Sequence, residues 1–138
     1  MKRTAIKRMM TGFLCAVLMC AGVITVMAEG VQARLNNVGS VSSNAWVSDS
    51  GALTIAYQYM GNSDTEGVVI KTYIEKRTLG FFWSDVDMWT DILYDTDYYD
   101  TTTIQLDSDG VYRVTVEYTF YGTGGRAEVV THEIEVEY

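Results

Sequence analysis

Residues 107–121, DSDGVYRVTVEYTFY, decide the fold. A short turn, Asp107-Ser108-Asp109-Gly110, feeds one long alternating segment. Tyr112, Val114, Val116, Tyr118 and Phe120 fall on one face; Arg113, Thr115, Glu117 and Thr119 fall on the other. A period of two, held over five apolar positions of β-branched and aromatic type, predicts a half-buried strand. Such a strand needs a second apolar surface to cover it.

Neighbouring segments supply that surface. Ala52–Met60 places Leu53, Ile55, Tyr57 and Tyr59 on one face, and 68–77 does the same with Val68, Ile70, Thr72 and Ile74. In 81–93 apolar residues recur without a clean period and a helical turn is the alternative, but turn signals at intervals typical of sandwiches favour a short, bulged or edge strand over 82–90. Tyr94–Asp100 reads as a loop, Thr101–Leu106 as a strand, and the last strand carries Val130, His132, Ile134, Val136 and Tyr138 on one face. A brief first strand is expected around Ser43–Val47. Six or seven strands with frequent turn signals and no sustained helical period predict an all-β, antiparallel β-sandwich.

The first 28 residues do not belong to that domain. Lys2, Arg3, Lys7 and Arg8 precede an apolar run from Met9 to Met27, and Val26-Met27-Ala28 offers a cleavage point. This is the pattern of a secretory signal peptide, with an N-terminal signal helix over 1–28. A cut after Ala33, or retention of the segment as a membrane anchor, are the alternatives. A polar stretch, 29–43, is expected to be a disordered lead-in to a sandwich domain at 44–138. Both cysteines, Cys15 and Cys20, lie in the signal segment, so the exported chain is expected to be disulfide-free and held by its apolar core.

Beyond Ala28 there remain 6 basic against 18 acidic residues, a formal net charge of −12. That argues against a nucleic-acid partner, whose phosphates require Lys and Arg, and equally against an anionic lipid surface. The remaining membrane association is through an uncleaved signal segment. The plainest reading of the charge is a solvated acidic surface.

The turn before the long strand looks like the tyrosine corner of immunoglobulin-like domains, in which a tyrosine hydroxyl bonds back to nearby backbone. Val114 stands where antibody domains place a cysteine, so the likeness is one of architecture. The region from about residue 50 to 138 also resembles small secreted immunoglobulin-like β-sandwich proteins of unknown function from Gram-positive bacteria. The carrying residues are Ile74-Glu75-Lys76-Arg77, Trp83-Ser84-Asp85-Val86 with Trp89, and Gly110-Val111-Tyr112-Arg113-Val114 with Tyr118. The resemblance implies a sandwich and an exported location; the chain is expected to be secreted or extracellular, with cell-envelope association as the alternative. It implies no catalytic residue.

Few constellations point to chemistry. His132 is the only histidine and sits on an apolar strand face, where it reads as a core residue. A nucleophilic site would need a serine and an orienting acid beside it. Zinc lacks ligands. Calcium candidates are Asp95, Asp97 and Asp100 in one acidic stretch, without EF-hand spacing. Asp107 and Asp109 are already accounted for by the turn. No cofactor is expected. The strongest binding candidates are aromatic: Trp83, Trp89, Tyr98 and Tyr99, which crowd one part of the chain. On one flat surface they would stack against a sugar ring; clustered otherwise they would suit a protein partner, and either tryptophan could fill the core. Glu133, Glu135 and Glu137 read as charges that keep an edge strand from pairing. The function expected is a secreted non-catalytic binding or interaction module. A carbohydrate-binding module with an aromatic platform and a secreted hydrolase are the alternatives.

Overall fold

A computed structural model describes residues 37–123 and 126–138. The expected signal segment, both cysteines and the first part of the expected lead-in lie outside the described residues. Seven strands follow: β1 (Val38–Val47), β2 (Ala52–Gly61), β3 (Thr65–Thr78), β4 (Phe82–Leu93), β5 (Asp97–Gln105), β6 (Val111–Gly122) and β7 (Glu128–Glu137). They form two antiparallel sheets, ordered β1-β2-β5 and β4-β3-β6-β7, packed as an all-β sandwich.

The alternating pattern of β6 sets the register of its sheet. Val114 pairs with Ile74 on β3 and Ile134 on β7, and Val116 pairs with Thr72 and His132. Tyr112, Val114, Val116, Tyr118 and Phe120 are all buried against Leu53, Ile55, Tyr57 and Tyr59 of the opposite sheet. Four of the largest fully buried side chains are tyrosines, and each hydroxyl has a partner. Tyr57 Oη lies 3.1 Å from Thr72 Oγ1 across the sandwich, and Tyr118 Oη donates to the Ser42 carbonyl at 3.1 Å. Tyr59 donates to the Asp95 carbonyl at 2.8 Å, and Tyr112 to the Ser108 carbonyl at 2.6 Å.

Three segments differ from their sequence reading. Residues 38–43 are strand, not lead-in: β1 begins at Val38 and pairs with β2 as far as Gly61. Its Gly39, Ser40, Ser42 and Ser43 carry little apolar signal, and cross-strand pairing makes up for it. Residues 97–100 are strand, not loop. Tyr98 pairs with Tyr59, and their rings stack at 5.7 Å, which outweighs the turn preference of the flanking aspartates. The expected bulged edge strand is present but runs on to Leu93. Its bulge is at Val86, since Ile74 pairs with Asp87 while Glu75 pairs with Asp85.

The β3–β4 turn is strained. Leu79 has φ of 52° and Gly80 φ of 82°. Glycine takes that region freely, whereas a leucine side chain pays about 1–2 kcal/mol there. Leu79 is also 83% exposed, so burial returns little. Leu79→Asn should therefore raise the urea midpoint, stabilising the protein by about 1 kcal/mol, since asparagine tolerates the left-handed region. An unchanged or lower midpoint would mean that the turn carries no such strain.

Candidate functional site

One side of the sandwich is closed and the other open. On the closed side, β1 packs across to β7. Its lead residue is tied down: Asn37 N–H donates to Glu128 Oε2 at 2.8 Å and its Nδ2 to the Arg126 carbonyl at 3.2 Å. Thr65 Oγ1 donates to the Asn37 carbonyl. On the other side lie β4 and β5, the remaining edge strand of each sheet, which are not drawn together in this way.

The bulge in β4 decides which way its tryptophans point. Residues six apart on a regular strand share a face. The extra residue at Val86 reverses this. Trp83 pairs with Arg77 on the outer face of the sheet, whereas Trp89 pairs with buried Thr72 and faces the sandwich interior. Two guanidinium groups cover Trp83: Arg113 lies 4.4 Å and Arg77 4.9 Å from its ring. Carboxylates hold both in place, Arg113 by Glu75 at 2.7 Å and Arg77 by Glu135 at 2.9 Å. The aromatic face that would stack on a sugar already carries two cations.

The other candidates are also dispersed. Trp89 packs at the rim of the core, beside the Tyr57 hydroxyl. Tyr98 faces inward on Tyr59, while the next residue, Tyr99, points from the outer face of the other sheet and is 70% exposed. The four aromatics thus occupy three surfaces. Only Trp89 and Tyr98 share one, the open side between β4 and β5.

That side is acidic. Between Arg77 and Arg113 the chain has eight aspartates and no lysine, arginine or glutamate. Register with Ile74, Ile70 and Tyr57 turns Asp87, Asp91 and Asp100 toward the gap between the sheets. The tyrosines sense them. Burial pushes the Tyr98 hydroxyl up to about 12, helped by the hydrogen bond it donates to Asp100 at 3.1 Å and by the charges of Asp100 and Asp91. Burial raises Tyr57 too, with Asp91 adding to the rise. The calcium candidates do not converge: Asp95, Asp97 and Asp100 are spread along the β4–β5 loop and β5. Among the described residues no group of three or more His, Cys, Asp or Glu is placed to hold a metal ion.

His132 lies on the closed side, buried between Val130 and Ile134. Its Nδ1 is 3.0 Å from Ser43 Oγ, which is 2.7 Å from Tyr118 Oη. With the Tyr118 proton on the Ser42 carbonyl, Ser43 donates to Tyr118, and Nδ1–H of His132 donates to Ser43. Sequence reasoning did not find Ser43, which is 89 residues away from His132 and in a stretch without apolar pattern. A nucleophilic triad places the histidine between serine and carboxylate, with the ring accepting the serine proton; here the serine lies between histidine and tyrosine, and the ring donates to it.

Burial lowers the pKa of His132 below its usual value of 6.5. The unfolded chain therefore takes up its proton first as pH falls. The stabilising effect of a neutral His132 is complete above pH 6.5 and is lost progressively below it. Between pH 7.5 and 5.5, urea midpoints should fall, with a slope no steeper than about 1.4 kcal/mol per pH unit for one proton. His132→Gln should flatten that slope. An equal slope in the variant would assign it to other groups.

In comparisons with known proteins the chain matches no family model, no curated protein and no solved structure.

Proposed function

We propose that this protein is an exported, non-catalytic interaction module that receives an extended segment of a protein partner along the edge of β4 that no strand among the described residues covers. The observation that carries the reading is the outer row of that strand. Met88 and Ile92 are 63% and 62% exposed, and Val86 at the bulge is 45% exposed. A strand edge presents unpaired backbone donors and acceptors, and such edges recruit extended peptides by strand addition. The other edges are less suited. β7 carries Glu133, Glu135 and Glu137 on its outer face, β1 is held against β7, and β5 presents Thr101, Thr103 and Gln105 beside a single tyrosine.

An immunoglobulin-like architecture is part of the proposal. It is supported by the hydrogen bond from Tyr112 to the carbonyl four residues back, which is the geometry of a tyrosine corner, and by the division of seven strands into three and four. Export is supported by the basic and apolar N-terminal segment. The glycan-platform alternative needs coplanar, uncovered aromatics, and Trp83 lies under two guanidinium groups. The hydrolase alternative needs an accessible nucleophile, and Ser43 is held between buried His132 and Tyr118.

The test is to select ten-residue peptides from a random display library against the exported protein, then map the bound peptides by amide hydrogen exchange. Slowed exchange confined to residues 87–93, with 129–137 unchanged, is the expected result. Protection centred elsewhere, or a library that yields no binder, would overturn the proposal.

A further inference from the structure

We infer that the segment received by β4 alternates basic and apolar residues, with the basic ones on the side facing β5. This rests on the strand-addition reading above and names the chemistry of the partner. The regular part of β4, from Asp87 to Leu93, has two unlike faces. On the outer face stand Met88, Thr90 and Ile92, paired with Tyr73, Lys71 and Val69. On the inner side stand Asp87, Trp89 and Asp91, at the mouth of the gap whose other lip carries Asp100.

A strand added to β4 would alternate in step with it. Every second side chain would meet exposed Met88 and Ile92, where apolar groups gain most. The intervening side chains would meet Asp87 and Asp91, with the ring of Trp89 between them. A lysine or arginine there gains ion pairing with two exposed carboxylates and a cation–π contact with half-buried Trp89.

Charge also rejects the competing occupant. A second copy of this chain pairing edge to edge along 87–93 would bring Asp87 and Asp91 against the same two residues. Like charges facing across a strand pair are destabilising. Of the basic residues on β3, Lys71 and Arg77 have their side chains on the outer face, away from the gap, and Lys76, on the inner row with Ile74, is directed to Ser108 at 2.6 Å and lies over the ring of Tyr112. Lys71 is directed to Glu117 and Arg77 to Glu135. They leave the aspartates of the open side to an outside cation.

The test uses three ten-residue peptides: strictly alternating Lys-Val, strictly alternating Glu-Val, and five lysines followed by five valines. Binding to the exported protein is measured by calorimetry at two salt concentrations. The alternating Lys-Val peptide should bind at least tenfold more tightly than either of the others and weaken as salt rises. The double variant Asp87→Asn/Asp91→Asn should lose at least fivefold of that affinity, while Asp107→Asn, at a distant turn, should lose none. Equal binding of the two alternating peptides would overturn the basic preference and leave strand addition standing. Equal binding of the two lysine peptides would reduce the effect to unspecific charge attraction and overturn the inference. Failure of all three peptides to bind, or a concentration-dependent dimer that shields residues 87–93, would overturn strand addition itself.

Discussion

The buried tyrosine hydroxyls constrain this structure more than any other feature. The described residues contain no cysteine, so nothing covalent holds one sheet to the other. Apolar burial forbids a slip of one residue but is tolerant of a slip of two, which keeps the same face inward. A hydroxyl is not, because once buried it must find a partner or cost about 1–3 kcal/mol. Tyr57 finds Thr72 across the sandwich, and Tyr118 finds Ser42 and Ser43. A two-residue slip of β1 against β2 would keep the same face inward yet carry Ser43 away and leave both Tyr118 and His132 without it. The hydroxyls therefore select one register from several that would bury comparable apolar area.

The same economy explains the uneven distribution of charge. All the described lysines and arginines on strands lie on the two central strands of the larger sheet: Lys71, Lys76 and Arg77 on β3, Arg113 on β6. Three of them are paired with a glutamate on the outer face. From a central strand a cation reaches acids on both neighbours, as Arg113 does with Glu75 on β3 and Glu133 on β7. Exposed pairs of this kind contribute little each, but they offset part of the charge of the sheet face they cover. The outer rows of β3, β6 and β7 thus set three cations, Lys71, Arg77 and Arg113, against five glutamates, whereas the aspartates of β4, β5 and the turns next to them have no cation on their own strands.

What the sequence revealed follows the same division. β6, β2 and β7 were legible because their apolar residues alternate strictly, and burial on one face is what alternation records. β1 was half hidden, since a strand built from Gly39, Ser40, Ser42 and Ser43 owes its place to pairing with β2. Tyr98 and Tyr99 looked like loop residues because Asp97 and Asp100 flank them; the stacking of Tyr98 on Tyr59 is a long-range contact that no local pattern encodes. The bulge at Val86 mattered most for the site. It was expected in β4, but its exact position separates Trp83 from Trp89, and a one-residue shift can be read only from the pairing with Ile74 and Glu75. The Ser43–His132 contact was illegible for the same reason.

An exposed strand edge is a hazard as well as an opportunity, and the two are reconciled on β4 by one device. Inward-pointing aspartates are a common means of stopping an edge from pairing with another copy of itself. Asp87 and Asp91 serve that end, because any copy of β4 brings the same charges. The protection depends on sign, however, and lapses for a strand of opposite charge. The bulge then limits how much edge is offered: beyond Val86 the strand reverses its faces, so an added segment in register with 87–93 falls out of register with 82–85. Charge excludes self-pairing, the bulge sets the length, and the outer apolar row rewards what remains. An edge guarded only by its bulge would still accept copies of itself, and one guarded only by charge would accept basic strands of any length.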